Sequence, residues 1–168
     1  RTATLSPSEP ATITYTTSPD FANQAYVTII AQGVGGDYEY QIDNSPFQDS
    51  PTFYNLDGGI HTITVRDKNG CGESTSSLIL LKYPRFFTPN GDGTNDTWNI
   101  PDLRFAKNAL ITIMDRYGKL ITRITPHRNG WDGLYLGHPL PATDYWFIIT
   151  YENDNERREF KSHFSLKR

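Results

Sequence analysis

The sequence predicts an all-β chain folded as two tandem antiparallel β-sandwiches, and three observations carry that prediction. Apolar and β-branched residues recur with a period of two in short runs. The runs are cut at close intervals by turn formers, for which 13 Gly and 11 Pro are available. Helical spacing is nowhere sustained: the best candidate, Asp102 to Leu110 with Leu103, Ala106 and Leu110, is too short to hold a lone helix in water and predicts one short turn. The first sandwich, immunoglobulin-like or repeat-like, is expected over residues 1–83 and a smaller one over 84–168. The boundary is expected at the extended X-Pro step Tyr83-Pro84.

In the first half, the Ser/Thr/Pro-rich opening reads as a linker that becomes an edge strand around Thr12 to Thr16. Tyr26 to Ile30 is dense in β-branched residues, and Tyr38 to Ile42 puts Tyr38, Tyr40 and Ile42 on one face. Gly35-Gly36 between them predicts a hairpin. Phe47 and Phe53 are expected in loops or short edge strands, Ile60 to Val65 in a strand, Asn69-Gly70 in a tight turn, and Leu78 to Tyr83 in the closing strand.

In the second half, Phe86-Phe87 can cap a core, Trp98 and Ile100 form a short alternating strand, and Ala109 to Asp115 supplies a strand with Ile111 and Ile113 on one face. Tyr117-Gly118-Lys119 turns the chain back into Leu120 to Ile124. Asn129-Gly130 and Asp132-Gly133 bracket Trp131 in a turn-rich crossing. Tyr145 to Tyr151 is the most apolar strand of the chain, and Phe160, Ser162, Phe164 and Leu166 alternate through the final one. The polar run Glu152 to Glu159 is expected to connect these two.

Charge and composition remove several function classes. A formal net charge of −3, from 16 Lys plus Arg against 19 Asp plus Glu, gives no general field toward nucleic acid or anionic lipid, so partners must be recognised locally. Arg157-Arg158 and Lys167-Arg168 lack an aromatic-lined groove and read as solvated rather than nucleic-acid-binding. No apolar run reaches the length of a membrane span, and Arg1 to Pro10 has no signal-peptide core. One cysteine, Cys71, excludes an internal disulfide and reads as a small buried hydrophobe.

The sharpest local pattern is Thr88-Pro89-Asn90-Gly91-Asp92-Gly93-Thr94-Asn95-Asp96. Asn90, Asp92, Asn95 and Asp96 bring four oxygen-bearing side chains close together, and the glycines let the backbone curl. Hard oxygen donors of this kind suit Ca²⁺, although the helix-loop-helix pattern with its bidentate Glu is absent. The alternative is a loop fixed by Asx turns, with Asp96 accepting backbone N–H bonds. No other cofactor is expected. His61, His127, His138 and His163 lie far apart and fit no zinc spacing with Cys71. There is no nucleophile elbow or phosphate loop, Ser6, Ser8, Ser50 and Ser74 sit in turn-like or edge contexts, and no enzyme activity is expected. Trp98, Trp131, Trp146, Tyr135 and Tyr145 offer faces for sugar stacking or for a core, and an exposed Trp131 would best support a glycan-binding module.

From Phe86 to Trp98 the sequence resembles the opening of the gliding-motility-associated C-terminal domain, the type B sorting domain of the Bacteroidota type IX secretion system. Further blocks follow in the same order: Asp115-Arg116-Tyr117-Gly118-Lys119-Leu120; Trp131-Asp132-Gly133 with Gly137 and Pro139-Leu140-Pro141; Asp144-Tyr145-Trp146-Phe147; and Phe160 to Arg168. The first half is similar to repeat modules of large gliding adhesins, through Tyr38-Glu39-Tyr40-Gln41-Ile42, Phe47-Gln48, Phe53, Leu56, Gly59 and Thr64 to Cys71. In such modules the Asn-Gly-Cys ending often uses a partner cysteine, which this chain lacks. The resemblance implies a C-terminal sorting signal that directs export across the outer membrane and cell-surface display of a large adhesin-like protein. It also implies recognition by the secretion machinery and a cognate outer-membrane partner. For that partner the exposed pair Lys167 and Arg168 is a candidate contact. A compact sandwich would present its loops and an edge strand at fixed positions, and the final strand could pair with a receptor if it lies on an edge.

Overall fold

The computed structural model describes residues 10–70, 72–153 and 155–168, and contains no α-helix among them. The expected linker over residues 1–9, Ser6, Ser8 and the buried role of Cys71 lie outside the described residues. The chain divides into two compact units, Arg1–Lys82 and Tyr83–Arg168.

The first unit has six strands: β1 (Thr12–Thr17), β2 (Ala25–Gln32), β3 (Tyr38–Ile42), β4 (Thr52–Leu56), β5 (Gly59–Asp67) and β6 (Glu73–Leu80). They form two three-stranded antiparallel sheets, β1-β2-β4 and β3-β5-β6. Val27, Ile29 and Phe53 from the first sheet meet Ile42, Ile63, Val65, Leu78 and Leu80 from the second in one core, which makes the unit a sandwich. The Gly35-Gly36 hairpin expectation is corrected here. β2 and β3 belong to different sheets, so this segment is a crossover between the layers. β6 begins five residues earlier than expected, because its first half pairs with β5 through an outward, largely polar stretch that reaches the core only at Leu78 and Leu80.

The second unit contains β7 (Phe86–Phe87), a 3-10 turn (Pro101–Phe105), β8 (Lys107–Met114), β9 (Leu120–Ile124), β10 (Leu134–Tyr135), β11 (His138–Pro139), β12 (Asp144–Asn153) and β13 (Glu156–Leu166). Five of these strands form a sheet in the order β7-β13-β12-β8-β9, and β10 pairs with β11. The long ladder between β12 and β13 runs from Asp144↔Ser165 to Asn153↔Glu156, so most of the polar run expected as a connection is strand. β7 joins β13 in parallel, through Phe86↔Ser165 and Phe87↔Leu166.

Strand alternation decides which face of this sheet is dry. Tyr145, Phe147, Ile149 and Tyr151 point inward from β12, Ile111 and Ile113 from β8, and Phe164 and Leu166 from β13. Each such side chain contributes about 1.5–3 kcal/mol by leaving water. The layer that covers them is irregular. It is supplied by Trp98, Ile100, Leu103 and Trp131, with Trp98 and Trp131 joined by a two-way backbone bridge. Gly130 is required beside this bridge, since a Cβ there would lie 2.3 Å from the Trp98 carbonyl oxygen.

Candidate functional site

The loop that carried the calcium expectation is closed from within. Asp96 Oδ1 accepts hydrogen bonds from the N–H groups of Asn90 at 3.0 Å and Gly91 at 2.6 Å, while Oδ2 accepts from Gly93 N–H at 2.8 Å. Asp92 Oδ1 accepts from Thr94 N–H at 2.8 Å, and its Oδ2 accepts from the Asn90 amide at 2.8 Å. Asn90 Oδ1 in turn takes the Asp92 N–H at 3.1 Å. Asn95 adopts a left-handed φ of 53° and presents its carbonyl to Thr88 N–H at 2.8 Å. The Gly91 N–H, followed by that of Gly93, holds the Asp96 carboxyl below its ordinary value near 3.8.

This is the Asx-turn arrangement. Asn90 to Asp96 offers two carboxylates, both serving as acceptors for the loop itself. Among the described residues no group of three or more His, Cys, Asp or Glu side chains could hold a metal ion. Both carboxylates are thus taken up by hydrogen bonds within the loop, which caps itself.

Trp131 is buried, which leaves the glycan-binding alternative without the exposed ring that would best have supported it. It is 4% exposed, packs edge-on against Tyr145 with ring centroids 4.9 Å apart, and donates its indole N–H to the Leu134 carbonyl at 2.8 Å. The turns on either side carry it inward onto the sheet, so it has no face to offer a sugar. Trp146 points to the other side of β12 and is 41% exposed. In the first unit, neighbouring strands expose Tyr26 and Tyr54 side by side, with ring centroids 6.2 Å apart. That pair escaped the sequence reading because a tyrosine in a strand looks the same on either face.

Lys167 and Arg168 take different positions. Lys167 Nζ lies 4.3 Å from the centre of the Phe86 ring. The Arg168 guanidinium donates to the Leu140 carbonyl at 2.6 Å and faces the Gly133 carbonyl at 3.5 Å, so it ties the β10–β11 hairpin to the sheet. Arg158 lies 3.7 Å from Glu156. β13 stands between β7 and β12 in the sheet order, with Ser165 paired to Asp144 on one side and Phe86 on the other and Leu166 paired to Phe87, so this end of the strand is closed to a receptor strand. The terminal strand of the sheet at the opposite side is β9.

The histidines remain apart. His61 is buried in the first unit, with Nδ1 2.8 Å from Asp43 Oδ2 and Nε2 3.0 Å from the Asp57 carbonyl oxygen. Burial acts to raise the Asp43 carboxyl, but hydrogen bonds from His61 and Thr62 N–H outweigh it and hold the group low. His127, His138 and His163 are exposed.

The second unit carries concave features, one of about 230 Å³ beside Phe105 and Glu152. A cavity of about 200 Å³ lies between the Asp115-to-Lys119 turn and the β10–β11 hairpin, with Ile121, Tyr135 and Tyr145 in its walls. Asp115 shapes the turn by accepting the N–H groups of Tyr117 at 2.8 Å and Lys119 at 2.9 Å on Oδ1.

A small all-β domain with a rigid, self-capped loop and a shallow groove is the class these features define. The chain belongs to the CHU_C type IX secretion signal domain family, which matches residues 81–166. None of the curated proteins matches the chain. Among solved structures, a biofilm associated protein, BSP domain, is similar at 11% identity with a TM-score of 0.27, covering 92% of this chain and 29% of that one. The chain thus spans less than a third of that protein's length.

Proposed function

We propose that the second unit is the sorting signal by which a larger, adhesin-like surface protein is directed through type IX export and displayed at the cell surface or released outside it. The observation that carries this reading is the family match over residues 81–166, which spans nearly the whole of a unit that closes its own apolar core. A type IX secretion signal implies contact with the secretion machinery, and a cognate outer-membrane protein is the partner we assign to it. The role is recognition rather than catalysis, and it needs no cofactor. Among the described residues no helix is long and apolar enough to cross a membrane.

The test places the chain behind an unrelated secreted passenger in a cell with the type IX machinery. The fraction of passenger outside the cell is compared with and without residues 83–168. Export that depends on those residues is expected. Equal partitioning, with both proteins folded and intact, would remove the reading.

A second reading applies to the first unit, as a module that binds carbohydrate or protein. It is favoured by the exposed Tyr26–Tyr54 pair, since neighbouring aromatic rings on a flat sheet can stack against a sugar. Glycan-array binding that disappears in Tyr26→Ala/Tyr54→Ala, while export is retained, would support it.

A further inference from the structure

We infer that the groove between the Asp115-to-Lys119 turn and the β10–β11 hairpin is the partner-docking site of the signal domain, and that its occupant is an extended acidic peptide segment of the export partner. The segment would carry an aliphatic or aromatic side chain next to its carboxylate. This deepens, and rests on, the reading of the second unit as an export signal.

Size comes first. At about 200 Å³ the cavity is smaller than the roughly 300–1,000 Å³ of sites that enclose small molecules. It suits one side chain of a larger partner, and its floor of Ile121, Tyr135 and Tyr145 is apolar enough to receive an apolar one.

Charge favours an acidic occupant. Arg116 and Lys119 stand at the mouth, and Lys119 Nζ lies 4.5 Å from the centre of the Tyr135 ring. Arg168 approaches from the hairpin side through its bond to Leu140. Burial raises the Tyr145 hydroxyl pKa, Arg168 and Arg116 act to lower it and Asp115 to raise it, which places two cations and one carboxylate within electrostatic reach of the floor. Asp115 is the carboxylate of the lining and accepts from its own turn, while Asp132 and Asp144 accept from Leu134 N–H and the Ser165 hydroxyl. Arg116, Lys119 and Arg168 thus outnumber Asp115 about the groove on a chain of net charge −3, a local excess of positive charge complementary to a carboxylate.

An open strand edge separates a peptide from an anionic lipid or glycan as occupant. β9 starts at Leu120, between two residues of the groove lining, and pairs on one side with β8 alone among the described strands. Its other side can supply main-chain hydrogen bonds, which a polypeptide can match in register and a phosphate cannot. Tyr117, 85% exposed at the tip of the turn, is available as an aromatic anchor over the same mouth.

Two measurements test the proposal on the full 168-residue chain. In the export assay, wild type is compared with passenger alone and with Arg116→Glu/Lys119→Glu. The double variant is expected to keep the wild-type melting curve and to lower the exported fraction at least about tenfold, the effect of one lost charge contact turned repulsive. Export equal to wild type would overturn the groove while leaving the export signal standing. Wild-type export no better than passenger alone would overturn the underlying reading and the groove with it. Should the double variant melt early, Tyr117→Ser takes its place with the same expected outcomes.

The second measurement is an NMR titration with a soluble peptide alternating glutamate and leucine, against the same peptide with lysine for glutamate. Saturable shifts at Ile121, Tyr135 and the β9 amides with the acidic peptide only are expected, weakening as salt rises. Equal response to both peptides, or none, would overturn the proposed chemistry. Binding of anionic vesicles at the same residues, without response to the acidic peptide, would replace the peptide by a membrane surface.

Discussion

Trp98 and Phe164 lie face to face in the core of the second unit, with ring centroids 3.8 Å apart and planes within 9° of parallel. The contact joins the irregular covering layer to β13, and the Trp98 indole N–H is satisfied by the Pro84 carbonyl at 2.8 Å. Trp98→Ala is therefore expected to cost about 3–5 kcal/mol, the range for truncating a buried aromatic. A double-mutant cycle with Phe164→Leu, read by denaturant unfolding, should show coupling of about 0.5–1.5 kcal/mol. Additivity of the two substitutions would show that the stack contributes no more than its buried area.

Gly130→Ala should destabilise the same layer without removing a contact. The added methyl would sit 2.3 Å from the Trp98 carbonyl oxygen, so the Trp98–Trp131 bridge must open to admit it. A loss of about 1–3 kcal/mol is expected, as for overpacking. Near-UV circular dichroism should report the displaced indoles, and an unchanged spectrum with unchanged stability would show that the layer gives way freely.

Asp96→Asn tests the self-capped loop through pH. Its carboxyl is held below 3.8 in the folded chain, so its contribution to stability is present above that value and is lost as pH falls through the folded pKa. The melting-temperature gap between wild type and variant should be full at pH 7 and close in more acidic solution. It should also be the same with Ca²⁺ as with chelator. A Ca²⁺-dependent rise in wild type alone would restore a cation site at this loop.

Much of this was legible in the sequence. β3 follows from period-two alternation and β9 from the Tyr117-Gly118-Lys119 turn, and Asp96 was identifiable as an N–H acceptor because Asx chemistry is local. What failed was non-local. Gly35-Gly36 looks like a hairpin turn, but whether the next strand stays in the sheet or crosses to the other layer depends on packing rather than on the turn. Trp131 was left open between core and surface, because its bridge to Trp98 and its packing on Tyr145 join residues far apart in sequence. The groove left no single motif either. Its lining comes from the Asp115-to-Ile121 segment, from Tyr135 and from Leu140 to Tyr145, which the sequence does not announce as neighbours.

Lys167 and Arg168, equivalent as sequence, should separate in experiment. Lys167→Ala removes an exposed cation–ring contact and is expected to change stability by less than about 1 kcal/mol. Arg168→Ala also unties the Leu140 carbonyl, and about 1–3 kcal/mol is expected for a hydrogen bond from a charged donor. Arg168→Lys should recover only part of the loss, because an ammonium cannot reproduce the guanidinium fork toward Leu140 and Gly133. Equal melting curves for the two alanine variants would show that Arg168 does not anchor the hairpin.

The parallel pairing of Phe86–Phe87 with Ser165–Leu166 has a consequence for biosynthesis. The earliest strand of the second unit finds its partner only in the last, so the unit cannot close while its chain is still being made. A ribosome that stops before residue 164 leaves Trp98 without its stacking partner and Phe87 without its neighbour. A folded unit therefore certifies that translation has run through it. Export machinery that reads the folded surface would, by that alone, reject prematurely terminated cargo.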